Sequence, residues 1–116
     1  MSLSYPKLAD IQFVPSSAGT LYANPAATKT YIRGLILFNG NTSSELVKLY
    51  NVPDSAAVAG TAAAGNQFEE YTMIAKENLI IDFKYPVVLS DENDTLQGSA
   101  TTASKVTIQI LGFKDT

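Results

Sequence analysis

The chain reads as an all-β protein, a single β-sandwich of about eight short antiparallel strands. Three observations predict it. Short apolar blocks alternate with polar residues at period two, turn signals recur about every ten residues, and no stretch has the spacing of an amphipathic helix. A sandwich closes more readily than a barrel, because the strands differ in length and one connection is long. Pattern alone leaves jelly-roll and immunoglobulin-like topologies open. The 116 residues fit one domain with one core. Within it, residues 1–29 are an N-terminal arm and first strand, and residues 30–116 are the body of the sandwich.

Taken in order, residues 9–15 (ADIQFVP) form a first strand in which Ile11 and Phe13 alternate with Asp10 and Gln12. Ser16, Ser17, Ala18 and Gly19 are a turn signal, residues 20–23 a short strand, and Asn24-Pro25 imposes extended or turn backbone. Residues 16–28 are expected to cross the surface from one sheet to another. The apolar run of residues 30–39 puts Thr30, Ile32, Gly34, Ile36 and Phe38 on one face and Tyr31, Arg33, Leu35, Leu37 and Asn39 on the other. Both faces are apolar in the middle, so both need cover: the domain core on one side and another chain on the other, or the domain on both. After the turn Asn39-Gly40-Asn41 and three hydroxyl residues, residues 45–53 return as a strand with Leu46, Tyr50 and Val52 opposite Val47 and Leu49.

Residues 54–66 (DSAAVAGTAAAGN) are the one low-complexity segment and are expected to be a surface loop, with at most one helical turn near residues 56–59. In residues 67–77, Phe68, Tyr71, Met73 and Ile74 are candidates for burial. Residues 78–85 set Leu79, Ile81, Phe83 and Tyr85 on one face; the other carries Asn78, Asp82 and Lys84 with one exception, Ile80. Pro86 breaks the ladder, as at a bend or a sheet edge, and Val87, Val88 and Leu89 resume it. Ser90 to Asp94 is a polar turn and residues 95–100 a short strand. The last strand has the cleanest alternation, Val106, Ile108 and Ile110 inward and Lys105, Thr107 and Gln109 outward.

Composition excludes several functions. Eight basic against eleven acidic residues give a net charge of −3, and the cations are scattered, so a nucleic-acid backbone is not an expected partner. No apolar run approaches the roughly 20 residues that span a bilayer, and the start, Met-Ser-Leu-Ser-Tyr-Pro-Lys, carries no secretory signal pattern. Neither a membrane nor export through a signal peptide is expected. Cysteine and histidine are both absent. That removes disulfides, thiolate nucleophiles, imidazole bases and the usual zinc ligands, so no enzyme and no cofactor is expected.

Four features could still be sites. The acidic turn Asp91, Glu92, Asn93 and Asp94 offers oxygens to a calcium ion but lacks the spacing and glycine of a recognised calcium loop, so a solvated turn is expected. Glu69 and Glu70 are adjacent on a strand and point to opposite faces, which prevents their acting as a glycosidase pair. Tyr5, Tyr22, Tyr31, Tyr50, Tyr71 and Tyr85 would have to gather in one groove to stack on a sugar. Arg33, the only arginine, lies within the most apolar strand. It is either a snorkelling surface side chain or half of an ion pair at a subunit interface.

The successive stretches TYIRGLILFNGNTSSELVKLYNVP, FEEYTMIAKENLIIDFKYPVVLSDENDTLQGSAT and KVTIQILGFK resemble small β-sandwich domains of bacteriophage virion proteins. There, a strand ending in Phe-Asn or His-Asn precedes a Thr/Ser-rich turn and a Leu-Tyr-x-Val-Pro strand, with a Tyr-Pro bend and a Val-Thr-Ile-Gln-Ile strand later. The likeness spans residues 30–113, about three quarters of the chain. It implies a non-enzymatic structural protein, first a capsid decoration (cement) protein and alternatively a tail or fibre module that binds a receptor or carbohydrate. It also implies a homotrimer or another symmetric assembly, contact with the major capsid protein or other virion proteins, and a place in the virion after assembly in the host cytoplasm. The resemblance carries no catalytic residues. The residues expected at contacts are Tyr5 and Pro6 of the arm, and Tyr31, Arg33, Leu35 and Leu37 of the two-sided strand, with the Ala/Gly loop as a further candidate.

Overall fold

A computed structural model describes residues 7–116. Among them eight strands form two four-stranded antiparallel sheets: β1 (Lys7–Phe13), β2 (Gly19–Ala23), β3 (Lys29–Asn39), β4 (Glu45–Val52), β5 (Gln67–Met73), β6 (Asn78–Leu89), β7 (Thr95–Ser99) and β8 (Val106–Asp115). One sheet has the order β1-β8-β3-β6 and the other β2-β7-β4-β5. Strand partners are therefore β1 with β8, β2 with β7, β3 with β6 and β4 with β5. This is one long antiparallel ribbon with the β4–β5 connection at its closed end, wrapped so that successive pairs fall in alternate sheets. That wrapping is a jelly roll. Residues 16–28 accordingly cross between sheets twice and contribute β2 on the way.

The two sheets face each other across a core made of Val14, Leu21, Ile32, Leu35, Leu37, Val47, Leu49, Met73, Leu89, Leu96, Val106, Ile108 and Ile110, all buried. The period-two reading holds for β8, whose Val106, Ile108 and Ile110 point inward, and for Leu79, Ile81 and Phe83 of β6, which pack against the core. It fails in β3 for a local reason. Against β8, Ile32 pairs with Gly112 and Gly34 with Leu111, so Arg33 is an extra residue in a β-bulge; against β6 the same two residues pair with Val87 and Asp82, and there the excess residues, 83–86, are on β6. The bulge reverses the phase. Thr30 and Ile32 face inward together with Leu35, Leu37 and Asn39, whereas Tyr31, Ile36 and Phe38 face out.

Two further expectations change. The first strand has register shifts on both sides of Ala9, and its inward residues are Leu8, Gln12 and the following Val14; Ile11 and Phe13 point away from the core. Ile74, expected to be buried, is exposed beyond the end of β5. Residues 54–66 form no α-helix. Ser55 and Val58 bond reciprocally around Ala56 and Ala57, and a single 3-10 turn follows at Ala64–Asn66.

Buried polar residues tie the connections together at both ends of the sandwich. At one end, the Asn39 amide donates to the carbonyls of Ser43, Met73 and Ile74 at 3.1 Å each, and its oxygen accepts from the Asn41 N–H. The Glu45 carboxylate there accepts from the Thr102 N–H at 2.8 Å and the Asn41 amide at 2.9 Å. At the other end, Asn24 donates to Thr28 and Asp91 carbonyls and accepts from the Thr30 hydroxyl at 2.6 Å. Such groups are satisfied in place of water, so each end is closed without an uncompensated polar atom in these pairs.

Candidate interaction surface

The outer faces of the two sheets differ in cover and in chemistry. On β2-β7-β4-β5 the outward residues include the cross-strand pairs Lys48 with Glu70 and Leu46 with Thr72. Part of that face is covered by the chain itself: Val52, Thr95 and Gln97 are outward yet buried, because the Ala/Gly loop lies over them, whereas Tyr50 and Thr20 are not covered by it. Gln97 donates to the Gly60 carbonyl at 2.9 Å, and a Cβ at Gly60 would sit 3.0 Å from Val52 Cγ1 and collide with the Pro53 carbonyl. The segment expected to be a free surface connection is thus a lid on one sheet.

On β1-β8-β3-β6 no segment among the described residues plays that part. Cross-strand pairing arranges its outer face in transverse rows. One row runs Phe13, Thr107, Phe38, Asn78. In the next, Gln109, Ile36 and Ile80 are in register, and Ile11 falls beside Gln109 in the β1 irregularity between Ala9 and Gln12. A third runs Lys7, Leu111, Gly34, Asp82, and a fourth Phe113, Tyr31, Val88. Ile80 is 70% exposed, Ile11 61% and Phe13 54%. Phe38, Phe113 and Val88 are also exposed, while Tyr31 stacks on Phe113 with ring centroids 5.0 Å apart. Scattered exposed apolar side chains need no explanation, but here they recur on all four strands, interrupted on β8 by Thr107 and Gln109, which makes this face the candidate contact surface.

The residues expected at contacts divide accordingly. Tyr31 belongs to this outer face, and Arg33 sits in the bulge at its margin, half-buried. Leu35 and Leu37 do not belong to it: both are wholly buried between the sheets, a correction that follows from the phase reversal at the bulge. Tyr5 and Pro6 lie outside the described residues. Ile11, Phe13, Ile36, Phe38 and Phe113 were not singled out for contacts from the sequence. Ile80, the exception in the β6 alternation, was the one available signal.

The other sequence features resolve into structure. The acidic turn is a clasp: Asp94 is buried, and its carboxylate accepts from the N–H groups of Asp54 at 2.9 Å, Asp91 at 3.0 Å and Ser90 at 3.2 Å. Burial pushes its pKa up, the three N–H donors pull it down, and the donors win, leaving it below the ordinary value. Asp54, Asp91 and Asp94 place carboxylate oxygens within 4.8 Å of one another, close enough to share a cation, although these hydrogen bonds involve the Asp94 carboxylate alone. Glu45 behaves alike, its pKa raised by burial but lowered more by the Thr102 and Asn41 donors. The described tyrosines do not gather in one groove. Tyr22 and Tyr71 pack against the core, Tyr50 faces out from the other sheet, and Tyr85 is exposed at the β6 bend. Burial, then the adjacent Glu69 carboxylate, raises the Tyr71 pKa further above its ordinary range.

No protein-family model matches this chain, and no curated protein is similar to it in sequence.

Proposed function

We propose that this protein is a non-enzymatic structural component of a bacteriophage virion, a capsid decoration protein that braces the shell through symmetric protein contacts. The observation that carries the reading is the unequal treatment of the two sheets. A small jelly roll spends its longest loop covering part of one outer face and leaves on the other a concentration of exposed apolar side chains, Ile11, Phe13, Phe38, Ile80 and Phe113, without such cover. Burying such a face against protein is favourable by about 25 cal/mol per Å² of apolar surface, and repetition over a lattice multiplies the effect. The virion assignment itself rests on the resemblance of residues 30–113 to phage β-sandwich proteins, and the absence of histidine and cysteine agrees with a structural role. Partners on this reading are copies of the chain and the major capsid protein. The tail-fibre reading has less support, since the described tyrosines are dispersed rather than gathered.

The test is co-sedimentation of the purified protein with DNA-filled capsids assembled without it. Saturable retention, with capsids that resist heat better once loaded, is the expected result; no retention at micromolar protein would sink the reading.

A further inference from the structure

We infer that the bare face of β1-β8-β3-β6 is covered by the same face of a second copy, related by a twofold axis lying between the two sheets and running along the strands. This deepens the proposed function, because it rests on the reading of that face as an interface. A flat face buried on its own copy implies twofold rather than threefold symmetry.

The rows are self-complementary. Such an axis lays β1 of one copy over β6 of the other without shifting rows. In the row of isoleucines the edge residues are Ile11 on β1 and Ile80 on β6, so Ile11 meets the partner's Ile80. In the neighbouring row the edges are oppositely charged, Lys7 on β1 and Asp82 on β6, so Lys7, whose ammonium also holds Asp10 of its own chain at 2.7 Å on the exposed edge, meets the partner's Asp82. The symmetry repeats both contacts at the opposite edge. In the last row, Phe113 comes over the partner's Tyr31 and extends the existing stacked pair. An axis across the strands, centred between the isoleucine row and the charged row, would instead exchange them and set Ile11 over the partner's Lys7 and Ile80 over the partner's Asp82.

Size agrees with a stable pair. Four strands spaced about 4.8 Å apart, each about eight residues long at ~3.4 Å per residue, give a plane of about 500 Å² before side-chain relief. With relief this approaches the ~800 Å² per partner of a standard interface. Two sheets packing aligned at about 10 Å is also how the halves of a sandwich meet.

The chain has no cysteine, which makes the register directly testable. Lys7 and Asp82 of one copy are three strand spacings apart, about 14 Å, too far for an internal disulfide, which needs Cα atoms within about 7 Å. The double variant Lys7→Cys with Asp82→Cys is therefore expected to give a reducible covalent dimer on mild oxidation, at least tenfold faster than either single variant. Both positions are exposed, and circular dichroism is the check that each variant is folded. Charge reversal adds a second readout. Lys7→Asp or Asp82→Lys alone should weaken self-association about 2–5-fold, and the two together should restore it. Cross-linking of the single variants at the same rate, a cross-linked trimer, or no cross-linking at all overturns the pairing. If cross-linking fails in protein that still binds capsids, the decoration reading stands and this pairing falls. Normal cross-linking with no capsid binding does the reverse.

Discussion

Ile36 and Ile80 stand directly opposite each other on the outer face of the β1-β8-β3-β6 sheet. Their chain neighbours Leu35, Leu37, Leu79 and Ile81 all point the other way, into the sandwich. One strand pair thus carries two apolar faces with different duties, and substitutions separate them. Leu37→Ala should cost about 2–5 kcal/mol through lost burial and the cavity left behind. Ile80→Thr should change folding stability by less than about 0.5 kcal/mol. Urea titration at low protein concentration, where the chain is monomeric, checks both values.

Acid should destabilise the fold through Glu45 and Asp94. Both folded-state pKa values lie below their ordinary values of 4.5 and 3.8, so the stability these carboxylates contribute is fully present above those values. It is lost as pH falls through the depressed folded values. Thermal melting should therefore be nearly flat from pH 7 to about pH 5 and fall steeply below about pH 4. Asp94→Asn and Glu45→Gln should each cost about 1.5–3 kcal/mol at pH 7, by weakening charge-assisted bonds to backbone N–H groups, and should flatten the acid limb. A melting curve that keeps its full acid slope in the double variant would contradict this assignment.

The tip of the Ala/Gly loop stores backbone strain. Ala56 and Ala57 have φ of 50° and 68°, the left-handed region, within a two-residue turn closed by Ser55 and Val58. Asn-Gly is the pair that such a turn favours. Ala57→Gly keeps the Ala57 carbonyl that accepts from Asn93, and should stabilise the fold by about 0.5–1 kcal/mol. Differential scanning calorimetry should show melting a few degrees higher; an unchanged or lower midpoint would argue against strain there.

Much of the fold was legible where alternation ran unbroken. β8 and the first half of β6 each keep one residue in and one out, so their inward sets followed from spacing alone. In β3 the phase was not legible, because one extra residue moves every later side chain to the other face. The trace it leaves is Gly34 inside an apolar strand, a common mark of a bulge, next to the lone Arg33. That slip exchanged Leu35 and Leu37 for Ile36 and Phe38 in the candidate contact. The lid formed by residues 54–66 was beyond pattern reasoning, since Gly60 meets Val52 and Gln97 only after the sheets are assembled. Jelly-roll topology was likewise decided by which strands pair, and strand spacing says nothing of that.

If the bare face is an interface between copies, the mass of the protein in solution shows it most directly. Sedimentation velocity at tens of micromolar should give about twice the 12.4 kDa of the chain, and Ile80→Asp should return a folded species of single-chain mass. A wild-type protein that sediments as a 12.4 kDa monomer at that concentration would contradict the account.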